Sequence, residues 1–188
     1  MAFFLSYLII SIPFLVITAV MVSVLVTTAI GLKATGEAFL IFSYVVFTFL
    51  YVGEMIGISY LALFYHVGFS VNIMSVFISF FCMMAGFISI KMSLVLETIN
   101  FISPLKYGAY ILTNTIFKDV HFKCDDNEKL SNGNCAISTG EEVLKLYKMY
   151  DKSSDKFITN VWVLGVLCFI YTIIAYIIVR YRVYKISH

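Results

Sequence analysis

Long stretches of this chain carry no charge, and that absence constrains its fold more than any motif. No Asp, Glu, Lys or Arg occurs in residues 1–32, 38–53, 55–90 or 157–179. Apolar runs of about 18 residues or more are long enough to cross a bilayer core as helices. A water-soluble domain needs charged positions over its outside, and these runs supply none. The expected class is therefore an all-α membrane protein with about four transmembrane helices, and the lipid bilayer is its first partner. Fifteen charged residues fall between Lys118 and Lys156, so one water-exposed insertion interrupts the apolar sequence.

With 188 residues, 61% of them hydrophobic, there is room for one membrane bundle and no separate soluble domain. The net charge is +2, and the polar block sets seven Lys against eight Asp and Glu. That balance offers no basic patch, so nucleic acid is not expected as a partner. The opening run lacks a basic n-region and is much longer than the apolar core of a signal peptide. Met1-Ala2-Phe3-Phe4 enters apolar sequence with no flanking Lys or Arg to fix orientation, which leads us to expect a fragment of a longer protein.

The apolar sequence divides into four segments. The first covers residues 3–30, and Pro13 within it is expected to separate an interfacial helix from the span proper. A short polar turn at 31–37 leads to a second segment at 38–65, where Gly53 and Gly57 form a GxxxG expected to admit close helix approach. The third runs over 70–90. Between 91 and 117, Lys91, Glu97, Asn100, Ser103-Pro104 and Lys106 interrupt the pattern, and two short re-entrant helices fit best. Residues 118–156 are the polar block, in which Thr139-Gly140-Glu141-Glu142 has capping-box form and predicts a helix over 140–150. The last span covers 157–179 and is stopped by Arg180, Arg182 and Lys185 at a membrane face. The chain thus reads as 1–117 (three spans plus the re-entrant segment), 118–156 (external loop) and 157–188 (last span and cytoplasmic tail).

Cys82 and Cys168 lie in apolar runs and read as small buried hydrophobes. Cys124 and Cys135 flank a polar, turn-rich loop. A disulfide there would contribute about 2–3 kcal/mol and needs an oxidising compartment. A metal site using His121, Cys124 and Cys135 is the competing reading, but its spacing matches no zinc pattern and a fourth ligand is missing. The seven lysines of the polar block argue for a cytoplasmic location and the cysteine pair for the opposite face; the cysteines carry more weight here. Glu54 is the one charge deep within an apolar run. It reads as a proton or cation relay, or more plainly as a carboxylate near the core edge bonded to a neighbouring helix. His66 reads as interfacial, in the turn after the second segment. No catalytic constellation or metal set is evident. Thirteen Tyr and 18 Phe suit lipid-facing and interfacial surfaces.

From Asn100, the run Asn-Phe-Ile-Ser-Pro-Leu-Lys-Tyr-Gly resembles a motif of ATP-binding-cassette transporters of the G subfamily: aromatic, any, Ser, Pro, any, Lys or Arg, Tyr. Asn114-Thr115-Ile116-Phe117 is similar to that family's Asn-Glu-Phe, with Thr115 in place of the acid. Cys124, Cys135, Thr139-Gly140-Glu141-Glu142 and Trp162 follow in the family's order, as do Ser11-Ile12-Pro13 and Gly31-Leu32-Lys33 upstream. The resemblance covers nearly the whole chain. It implies helices three to six of a transporter membrane domain, with a re-entrant motif at Asn100, Ser103, Pro104 and Tyr107. It also implies an external loop closed by Cys124 and Cys135, and a cytoplasmic C-terminus.

On the third segment Asn72, Ser75, Ser79, Cys82 and Gly86 recur at alternating spacings of three and four, which places them on one helical face. Such a face packs against a helix or borders a cavity. The resemblance implies a substrate pathway at Ser75, Ser79 and Cys82, a gate at Phe87 and Ile88, and pairing with a second membrane domain. No G-x-x-x-x-G-K-[ST] phosphate loop occurs in these residues. ATP and magnesium are then expected on a separate nucleotide-binding domain, and this chain is not expected to be an enzyme by itself. The leading expectation is a membrane-domain segment of an ATP-driven exporter of lipophilic compounds or lipids. The alternative is a small stand-alone or inactive membrane protein acting as a helix-packing partner.

Overall fold

The computed structural model describes residues 2–30, 35–64, 66–87, 94–117, 120, 139–146 and 154–187. In chain order these form α1 (Ala2–Ile30), α2 (Gly36–Leu63), α3 (Val67–Cys82) running into a π-turn (Met83–Phe87), α4 (Leu94–Asn100), α5 (Pro104–Phe117), α6 (Gly140–Leu146) and α7 (Ser154–Ser187). Among the described residues there is no β-strand. Four stretches are long and apolar enough to cross a membrane: Phe4–Ala29, Gly36–Leu63, Val67–Ala85 and Asp155–Lys185. The expected four spans and short helical pair are all present.

Helix α2 is the hub, packed against α1, α3, α5 and α7. The Tyr44 hydroxyl donates to the Val161 carbonyl at 3.2 Å, and the Tyr51 hydroxyl meets Thr172 Oγ1 at 2.8 Å. Residue numbers rise together along both helices, so α2 and α7 run parallel, as the second and fourth of four alternating spans must. Between them sits α5, whose Ile111 is fully buried with Val45 and Leu164. Small residues line the α1 side, where Ala19 and Ser23 are buried. In lipid, helix association relies on close packing rather than on escape from water, so such residues are favoured at interfaces. The outward residues are large and apolar: Val76 is 71% exposed, Phe169 74% and Leu94 82%. Only lipid or another membrane segment can solvate them.

Two expectations need correction. Pro13 does not divide the first segment; α1 continues through it. The missing Pro13 N–H leaves one carbonyl without its ladder bond, a loss that membrane helices tolerate. Gly53 and Gly57 do not create a close backbone contact. A Cβ on Gly57 would lie 3.6 Å from Met74 Sδ, an ordinary distance, and Gly53 faces open space. Close approach occurs instead at Gly108 on α5, which seats against the Phe49 ring. Helix α7 runs on past the basic residues Arg180 and Arg182 to Ser187. Its 34 residues make a rod of about 51 Å, longer than a core of about 30 Å, so its last turns leave the apolar layer still wound.

Candidate functional site

The corner between α4 and α5 is built from a helix end and a helix start. Helix α4 tightens as it finishes, with three-residue backbone bonds from Phe101, Ile102 and Ser103 N–H to the carbonyls of Thr98, Ile99 and Asn100. Pro104 then opens α5 at the one helical position where its missing N–H costs nothing. The freed carbonyls are taken by side chains. The Tyr107 hydroxyl donates to Phe101 O at 3.0 Å, and the Tyr171 hydroxyl of α7 donates to Ile102 O at 3.3 Å. Asn100 Nδ2 donates to Met84 O in the π-turn at 2.7 Å. The structure therefore gathers Asn100, Ser103, Pro104 and Tyr107 in one place, and Asn100, Ser103 and Pro104 are buried. Asn100 Oδ1 and Ser103 Oγ are enclosed there without a hydrogen-bond partner among the described residues.

Lys106 completes the corner, with Nζ 3.7 Å from the centroid of the Phe101 ring. Burial pushes this lysine below its ordinary range, and the Glu97 carboxylate opposes that shift. A cation over an aromatic face keeps a favourable contact where water is scarce.

Helix α3 turns Ser70 and Phe81 inward. Asn72, Ser75, Ser79 and Cys82 are exposed on the opposite side. Ser75 Oγ bonds back to Val71 O at 2.9 Å, and Cys82 is a free thiol. Among the described residues, no helix of this chain packs over that face. Phe87 lies in the π-turn. Ile88, Cys124, Cys135 and His121 lie outside the described residues, so the disulfide and its metal alternative do as well. The base of that loop is closed by backbone: Gly140 N–H donates to Val120 O at 2.8 Å, and Val120 N–H to Phe117 O at 3.3 Å. The capping-box helix begins as expected, with Thr139 N–H donating to Glu142 Oε2 at 3.4 Å. His66 is exposed in the turn before α3. Among the described residues no cluster of His, Cys, Asp or Glu could hold a metal.

Glu54 faces α1, where the Tyr7 hydroxyl donates to its Oε1. Its Oε2 is buried with no partner among the described residues. The level of this pair follows from the neighbours. Tyr51 is level with Thr172, and the Phe4 and Tyr176 rings meet in a tilted contact at 5.7 Å, so Glu54 sits between about one and two turns before Arg180. The carboxylate is therefore near the end of the apolar layer and bonded to a neighbouring helix. Nothing in the spacing of residues 47 positions apart discloses Tyr7 as its partner. Tyr7→Phe is expected to lower stability by about 1 kcal/mol, the usual size of an interhelical hydrogen bond in a membrane. Thermal unfolding in detergent checks it. The Tyr7→Phe loss should vanish in a Glu54→Leu background, and an equal loss in both backgrounds would refute the pairing.

No protein-family model matches the chain. It is, however, 30% identical over 179 residues to an uncharacterized ABC transporter ATP-binding protein/permease of Saccharomyces cerevisiae. That alignment takes in 95% of this chain. The likeness supports the ABC transporter family. The chain spans 14% of the relative's length, so the match concerns one segment of a much longer protein. Together with the four apolar helices, it identifies an integral, multi-pass membrane protein and supports a transporter membrane segment.

Proposed function

We propose that the chain is part of the membrane domain of an ATP-driven exporter of the G-subfamily type, acting on lipophilic compounds or lipids. The observation that carries this reading is the exposed Asn72–Ser75–Ser79–Cys82 face, which stays unoccupied in a chain otherwise similar to a transporter permease. A path for such compounds needs neutral, weakly polar walls, and this face has hydroxyls, an amide and a thiol but no charge. Pairing with a second membrane domain would enclose it, leaving Ser75, Ser79 and Cys82 beside the substrate and Phe87 and Ile88 beyond them as a gate.

The energy would come from ATP and magnesium on a separate nucleotide-binding domain. Closure of the external loop by Cys124 and Cys135, and a cytoplasmic C-terminus, belong to the same proposal. A second reading, a helix-packing partner that transports nothing, draws on the same open face and is separated from the first by experiment. Ser79→Trp and Phe87→Trp, made in the full-length protein, are expected to cut export per surface molecule several-fold. If neither changes export at matched abundance, the face serves packing alone.

A further inference from the structure

The π-turn at the end of α3 is a local departure from helical geometry with a visible cause. A widened turn takes carbonyls out of the four-residue ladder, and such turns persist where something else satisfies them. Here the amide of Asn100 donates to Met84 O at 2.7 Å. The contact is shielded, because Asn100 is 6% exposed, Met84 5% and Ala85 4%. We propose that Asn100 is a positioning residue that holds the end of α3 in its π-turn. It thereby ties the corner between α4 and α5 to the helix bearing Ser75, Ser79 and Cys82. This goes beyond the transporter reading and rests on it only for its effect on export.

Two features make the bond a control point rather than a simple brace. First, Asn100 stands on an anchored base. The two carbonyls after it are held by Tyr107 of α5 and Tyr171 of α7, so its side chain bridges the α5–α7 pair and α3. Second, the corner keeps unused hydrogen-bonding capacity. Asn100 Oδ1 and Ser103 Oγ are both enclosed and have no partner among the described residues, so a shifted α3 end has acceptors and a donor to meet. An ordinary α-turn in place of the π-turn would rotate the chain leaving α3 by about 100°, one residue's worth of helix. The Asn100 bond therefore selects the direction in which α3 ends. Motion of the corner would be passed to the proposed substrate face through this amide together with the packing of α5 on the π-turn. Leucine keeps the volume without the bond, and alanine removes both.

The test uses the full-length protein in lipid, labelled with carbonyl-13C Met and 15N Ala. Within residues 1–188 the Met–Ala pairs are Met1–Ala2 and Met84–Ala85, so solid-state NMR selects Met–Ala carbonyls and a Met84→Leu control assigns the Met84 resonance among them. In Asn100→Leu, and in Asn100→Ala, the Met84 carbonyl resonance should move upfield while the other Met–Ala resonances stay fixed. Export is expected to lose kcat several-fold at unchanged KM. A Met84 resonance unmoved in both variants overturns the proposal, as does an export loss explained entirely by lower abundance. If neither variant assembles, 15N on the Asn side chains supplies the decision in the wild type: absent dipolar coupling to the Met84 carbonyl refutes the bond. A wild-type protein that exports nothing refutes the transporter reading, while the carbonyl shift still decides the role of Asn100.

Discussion

Gly108→Val is expected to cost more stability than any other single substitution on α5. A Cβ built on Gly108 overlaps the end of the Phe49 ring and comes within 3.0 Å of Val45 Cγ1. Val45 is fully buried and cannot retreat, so Phe49 must leave the seam between α2 and α5. Overpacking of this kind costs about 1–3 kcal/mol for alanine, and a β-branched side chain in a helix adds to it. The readouts are folded yield after detergent extraction and the melting midpoint. Phe49→Leu should restore much of the loss in the Gly108→Val background by removing the atoms that collide. An unchanged midpoint in Gly108→Val, or no rescue, would show that the seam is looser than the geometry requires.

The contrast between Gly108 and the Gly53–Gly57 pair explains what the sequence discloses. Spans follow from local composition, because lipid accepts any sufficiently long apolar helix. The four spans, the short helical pair and the start of the capping-box helix are therefore legible from the residues alone. Which glycine meets a neighbouring helix is a property of two faces, and spacing within one helix describes only one of them. Gly53 and Gly57 satisfy the motif and find no backbone to approach; Gly108 lies outside any such motif and seats an aromatic ring. The same reason hides Tyr7 as the partner of Glu54, and Met84 as the partner of Asn100. Pro13 misleads differently. Its cost is real, but one lost bond in a 29-residue helix held by lipid is not enough to end it. At the candidate site, the common face of Ser75, Ser79 and Cys82 is readable from three-and-four spacing. The openness of that face depends on where the neighbouring helices stop, which no single segment encodes.

Ile111→Ala is expected to destabilise the bundle by about 2 kcal/mol, and the size of that number tests the physics of the fold. Ile111 is fully buried between Val45 of α2 and Leu164 of α7, so its truncation leaves a void at the junction of three helices. In a water-soluble protein the loss would combine a transfer contribution with a cavity contribution, giving about 2–5 kcal/mol. In a bilayer the separated helices stay in hydrocarbon, so the transfer contribution is small and the lost dispersion contacts dominate. The expected loss therefore falls at the low end of the soluble range. Val76 supplies the control. It is 71% exposed on α3, and Val76→Ala should change stability by less than about 0.5 kcal/mol. Reversible unfolding of both variants in lipid nanodiscs separates the cases. Equal effects at the two positions would contradict a bundle centred on α2, α5 and α7. A loss of about 5 kcal/mol at Ile111 would mean that this junction opens to water on unfolding, and α5 would then belong to the aqueous side of the molecule.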